Sequence, residues 1–134
     1  MEKPKSKRTG LRFDDPDQIS LKDGYIQIKP NRLDTLEISY LVRNLLAMEG
    51  FPERNDLWIL SEKPFEMSFV DLEDLRALTE KHYPRKFVGH KTAVVSDDVI
   101  KRTMIKIYDA ITTNLPVEFR AFSSQAEAEE WLKS

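Results

Sequence analysis

The stretch DLWILSEKPFEMSFVDLEDLRAL, residues 56–78, decides how this chain reads. It starts with a short continuous apolar run, Leu57 to Leu60, which suits a central strand covered on both faces. KPFEMSFV, residues 63–70, follows as a connection with some extended structure. From about Leu72 to His82 the spacing turns helical, with Leu72, Leu75 and Leu78 inward and Ala77 beside them. A covered strand leading into an amphipathic helix is the unit from which parallel α/β sheets are built. Asp71 is placed to cap that helix, and Glu73 and Asp74 crowd its first turn. Acids there complement the helix dipole, each by about 0.3–1 kcal/mol when exposed. Charge alone therefore explains them, and a phosphate arriving at that helix start would be repelled.

Upstream, Ile19 and Leu21 alternate with polar residues, Asp23-Gly24 signals a hairpin turn, and Tyr25, Ile26 and Ile28 continue as a second strand ended by Pro30. Leu33, Leu36, Tyr40, Leu41, Leu45 and Met48, widened by Ile38, Val42 and Leu46, mark an amphipathic helix closed by Gly50 and Pro52. Downstream, HKTAVVS (residues 90–96) reads as another buried strand. Residues 97–116 read as a helix with Ile100, Met104, Ile107, Tyr108 and Ile111 on one face and Asp97 and Asp98 at its start. VEFRAF (residues 117–122) has the alternation of an edge strand. A last helix follows, capped by Ser123 or Ser124 and burying Ala128, Trp131 and Leu132. The order β-β-α-β-α-β-α-β-α predicts an α/β fold with a mixed, mostly parallel sheet and helices packed on it.

The chain has 134 residues, enough for one domain, predicted over 18–134. Residues 1–17, with Lys3, Lys5, Lys7, Arg8 and Arg12, read as a flexible basic tail. Hydrophobic residues make up 40% and charged residues 33%, a composition that buries one core. A net charge of −2 argues against nucleic acid as the main partner. The sequence has no cysteine, which excludes thiol catalysis, disulfides and cysteine–zinc sites and is compatible with a reducing, cytoplasmic location. No apolar run approaches the about 20 residues of a transmembrane segment. The glycines are isolated, so no phosphate-binding loop is formed, and nothing in the pattern asks for a metal or a cofactor. His82 and His90, the only two histidines, are expected in surface or structural roles rather than in catalysis.

The segment MSFVDLEDLRAL (residues 67–78) resembles STAS domains, the sulfate-transporter and anti-sigma-factor-antagonist superfamily. There it reads roughly as an apolar residue, Ser, Phe, an apolar residue, Asp, Ser, Ser, Gly, Leu. Ser68, Phe69, Asp71 and Leu75 stand in register. LPVEFRAFSSQAEAEEWL (residues 115–132) is similar to the C-terminus of the anti-sigma-antagonist-like branch, and the resemblance spans residues 18–133. It implies a bacterial, cytoplasmic, non-enzymatic regulatory domain that works by protein interaction. It implies a contact surface of Ser68, Asp71, Glu73 and Asp74, with Arg76 at its rim. The chain departs from the pattern where it matters most: Glu73 stands where switching members carry the phosphorylated serine, with Leu72 and Asp74 at the preceding serine and the glycine. A carboxylate has one charge and planar geometry, a poor copy of a phosphoserine.

A second reading makes the chain a binder or carrier of a small apolar ligand such as a lipid, through Phe65, Met67 and Phe69, because apolar residues in a connection mark a ligand mouth or an interface. A homodimer through the 117–122 edge is a further expectation, since unpaired strand edges invite pairing. The two functional readings part on two substitutions. Glu73→Lys is expected to abolish partner binding in a pull-down while circular dichroism stays unchanged, if the domain is an interaction module. Phe65→Asp is expected to strip a bound molecule seen by native mass spectrometry, if it is a carrier.

Overall fold

The computed structural model describes residues 18–22, 24–48, 54–60, 62–83, 89–112 and 114–134. The basic tail, the turn and cap expectations on Asp23, Gly50 and Pro52, the helix stop expected at Pro84 and the core place expected for Phe87 lie outside the described residues. In chain order the elements are β1 (Ile19–Lys22), β2 (Tyr25–Ile28), β3 (Leu33–Asp34), α1 (Thr35–Leu46), β4 (Asn55–Ile59), β5 (Phe65–Glu66), α2 (Phe69–His82), β6 (His90–Val95), α3 (Val99–Ile111), β7 (Val117–Phe122) and α4 (Gln125–Lys133).

The main sheet has five strands in the order β1-β2-β4-β6-β7, with β1 antiparallel to β2 and every later pair parallel. The fold is therefore α/β with a mixed, mostly parallel sheet. Lys22 pairs with Tyr25 across the hairpin, and Gly24 takes the left-handed conformation (φ 90°) that the turn requires. From β2 onward the sheet grows in one direction. Right-handed crossovers then put α1, α2 and α3 on the same face. Their core joins Ile38, Leu41 and Leu45 of α1, Leu72 and Leu75 of α2 and Tyr108 of α3 to Ile26, Ile28, Trp58 and Val94 of the sheet. After the edge strand β7 the chain folds back, and α4 covers the other face, where Ala128 and Leu132 pack on Tyr25, Leu57, Ala93 and Val95. Lys91 fixes the end of α4 by donating to the carbonyls of Trp131 (3.0 Å) and Ser134 (2.9 Å).

The run Leu57–Trp58–Ile59 is apolar throughout because β4 is central and covered on both faces: Trp58 enters the first core and Leu57 the second. β7 is an edge strand, as its alternation predicts. The sequence reading misses β3 and places only some extended structure at residues 63–70, where β5 lies; the two strands pair in a separate two-stranded parallel sheet, Leu33 with Phe65 and Asp34 with Glu66. Leu33 thus belongs to a strand rather than to the first helix, whose N-cap is Asp34, accepting from the Glu37 N–H at 2.8 Å.

The start of α2 is also corrected. Its N-cap is Ser68, and Asp71 is the third helical residue. Asp71 N–H donates to Ser68 Oγ at 3.2 Å, and Ser68 N–H donates to an Asp71 carboxylate oxygen at 2.9 Å. This reciprocal pair is a capping box one turn earlier than the sequence suggested. Phe69 and Val70 read as the end of a connection ahead of the helix, but the cap draws them into the first helical turn. Ser68→Ala is expected to lower the unfolding free energy by about 1 kcal/mol, while Asp74→Ala leaves it nearly unchanged; urea denaturation midpoints distinguish the two registers.

Candidate functional site

Two features stand out. The first is the end where the helices begin. α1, α2 and α3 each return antiparallel to the parallel strands, so their N-termini lie together beyond the strands' C-terminal ends. The Thr35 hydroxyl bonds to the Asp71 carboxylate, joining the starts of α1 and α2. Each helix is capped, by Asp34, Ser68 or Asp98, and each then shows apolar side chains to solvent in its first turn. Leu36 is 75% exposed, Phe69 53%, Val70 66%, Val99 64% and Ile100 66%. Among the described residues these are all but one of the exposed large apolar side chains, Leu21 on β1 being the other. Leu36 and Ile100, expected on buried faces, thus sit outside the core, because residues in a first turn beyond the sheet have nothing to pack against.

The residues singled out around Asp71 lie at this end, with local duties. The Ser68 N–H first, then the Ser68 and Thr35 hydroxyls, hold the Asp71 carboxyl below the usual carboxylate range. Glu73 pairs with Arg76 (3.0 Å), and Arg76 also pairs with Glu80 (2.9 Å). Asp74 is exposed. Glu62, Glu66, Asp97 and Asp98 add further acids around the apolar side chains.

The second feature is a cavity of about 120 Å³ between the sheet and α1–α3. The apolar part of its lining includes Leu33, Leu45, Phe65, Met67, Val94 and Ile105. Phe65 and Met67 therefore meet as the second sequence reading expected, whereas Phe69 is not among the lining residues and faces solvent instead.

The floor is polar. Asp56 (1% exposed) and His90 (3%) form a buried pair through His90 Nε2 and Asp56 Oδ1. Thr92 Oγ1 donates to the same carboxylate oxygen at 2.9 Å, and Trp58 Nε1 donates to Oδ2 at 2.7 Å. The parallel register brings these groups together. Asp56 lies opposite Thr92 on the neighbouring strand, and alternation turns Trp58 and His90 to the same face. Above them Tyr108 Oη and Thr79 Oγ1 are 3.2 Å apart, and the Tyr83 ring stands edge-on to His90. Burial pushes the Tyr108 hydroxyl up to about 12. Burial, and then the charge of Asp56, push Tyr83 up as well. Both phenols are therefore neutral near pH 7.

The sequence reading gave His90 a surface or structural role and did not single out Asp56 or Thr92. The available signal was the polar residues at the start of each of two strands that end apolar, Asp56 on β4 and His90 and Thr92 on β6. The arrangement is not that of a nucleophile activated by an imidazole, because the Thr92 hydroxyl donates to Asp56 rather than to His90. Among the described residues no group of three or more His, Cys, Asp or Glu side chains is arranged to hold a metal ion, and no helix is long and apolar enough to cross a membrane.

Fold and site thus define a mixed, mostly parallel α/β domain with an apolar cavity at its sheet face and an apolar, acid-flanked end. Comparison of the chain with family models, with curated proteins and with solved structures finds no match.

Asp56→Ala is expected to destabilise the domain by about 3–5 kcal/mol, because it leaves His90 and two donors buried without their acceptor. Asp56→Asn keeps an acceptor and is expected to cost less. Chemical denaturation of the two variants checks the order.

Proposed function

We propose that this chain is a STAS-like, cytoplasmic interaction domain that works by binding a protein partner rather than by catalysis. One observation carries the reading: three neighbouring helices each expose apolar side chains in the first turn, at the same end of the sheet. Single exposed apolar residues are ordinary, but a cluster rimmed by charge is typical of contact surfaces. The resemblance of residues 67–78 to STAS domains points to this same end. The energetic centre of the contact, however, moves from the acids to Phe69, Val70, Val99 and Ile100. Ser68 and Asp71 support the surface by capping α2, and Glu73 is engaged with Arg76.

The flanking acids Glu62, Glu66, Asp74, Asp97 and Asp98 specify the partner's complement: an apolar face bordered by lysine or arginine. With glutamate in place of the serine, binding at this end is constitutive rather than switched by phosphorylation at residue 73.

A photoreactive amino acid placed at Phe69 or at Ile100, in cells that make the protein, is expected to give an adduct with the same partner from both positions. Lys106, exposed further along α3, serves as the comparison. Adducts from Phe69 and Ile100 no different from those at Lys106 would rule the surface out.

A further inference from the structure

We propose that the cavity beneath α1–α3 is a binding site for a small neutral molecule of one ring carrying a single hydroxyl, with phenol as the simplest case. This inference stands apart from the end surface and does not depend on it. The volume, about 120 Å³, is close to that of cavities that take up benzene. It therefore suits a ring of six or so heavy atoms and is too small for a two-chain lipid. The walls suit a flat ring. Leu45, Val94 and Met67 supply aliphatic contacts, and Trp58, Phe65 and Phe119 supply aromatic ones. Met67 adds a thioether that adapts to ring edges.

The polar part of the lining selects the hydroxyl. Thr79 Oγ1 donates to the Leu75 carbonyl at 2.9 Å, so in its contact with Tyr108 it is the acceptor and the phenol of Tyr108 is the donor. That leaves the oxygen of Tyr108, a lining residue, with capacity to accept. Asp56 receives three donors, from His90, Thr92 and Trp58, against about four acceptor positions on a carboxylate. The lining thus sets acceptors, Asp56 and the Tyr108 oxygen, beside the Tyr83 hydroxyl, and a ligand hydroxyl, which can donate and accept at once, suits them. A carboxylate ligand would bring a second negative charge next to buried Asp56 and is disfavoured.

The test uses the full chain with its methionine methyl groups labelled with carbon-13, Met67 being one of four methionines. Phenol is expected to shift the Met67 methyl resonance saturably, to bind about fivefold more tightly than benzene, and to leave benzoate without effect. Val94→Phe, which fills the space, is expected to abolish the phenol shift. Tyr108→Phe is expected to reduce the preference for phenol over benzene. The titration of the unaltered protein is decisive even if either variant fails to fold. No saturable shift at Met67 would overturn the site, and benzoate binding as well as phenol would overturn the assignment of the hydroxyl.

Discussion

The structure depends on covering both faces of two parallel strands. β4 and β6 have hydrogen-bonded neighbours on either side, and both of their faces carry side chains that are buried in the fold. The chain meets this demand asymmetrically. Three helices cover one face because successive crossovers run in one direction, and the short α4 covers the other because it follows the last strand. The two faces differ in consequence. Under α4 the packing is close, with small Ala93 and Ala128 allowing helix and sheet to approach. Under the three helices a cavity remains between helices and sheet.

The polar knot of Asp56, His90, Thr92 and Trp58 follows from the same geometry. Side chains two residues apart on a strand share a face, and parallel register sets Asp56 against Thr92. One carboxylate can then receive three donors within the sheet. Such a cluster contributes less by its net energy than by what its disruption costs, since each member lost leaves others buried without a partner. It also ties the start of β4 to the start of β6, near the point where α2 ends at Tyr83. The cavity floor is therefore held by the strands rather than by the helices above it.

At the opposite end, capping and exposure go together. A cap fixes the first turn of a helix, and whatever side chains that turn carries are then held where the cap places them. Three caps at one end of the sheet hold five large apolar side chains toward solvent. The acids around them serve the helix dipoles and at the same time keep this end soluble.

Much of the architecture was legible in the residues. Strands β4 and β6 announced themselves as short apolar runs, α1 and α3 by helical spacing, and β7 by alternation. The parallel class followed from their order alone. What escaped depended on contacts between distant segments. β3 and β5 are two residues each and exist only because Leu33 and Phe65 meet. The start of α2 was misread because apolar Phe69 and Val70 look alike whether they enter a core or face water, and only the position of the sheet's end separates the two. Asp56 and His90, thirty-four residues apart, carry no shared local pattern. Local pattern and composition settled the strands of the main sheet, the helices and their order, because periodicity and capping act within a few residues. Which apolar residues were buried, which were exposed and which polar groups met in the cavity was decided by tertiary packing, because those outcomes depend on strand register and on helices placed by other parts of the chain.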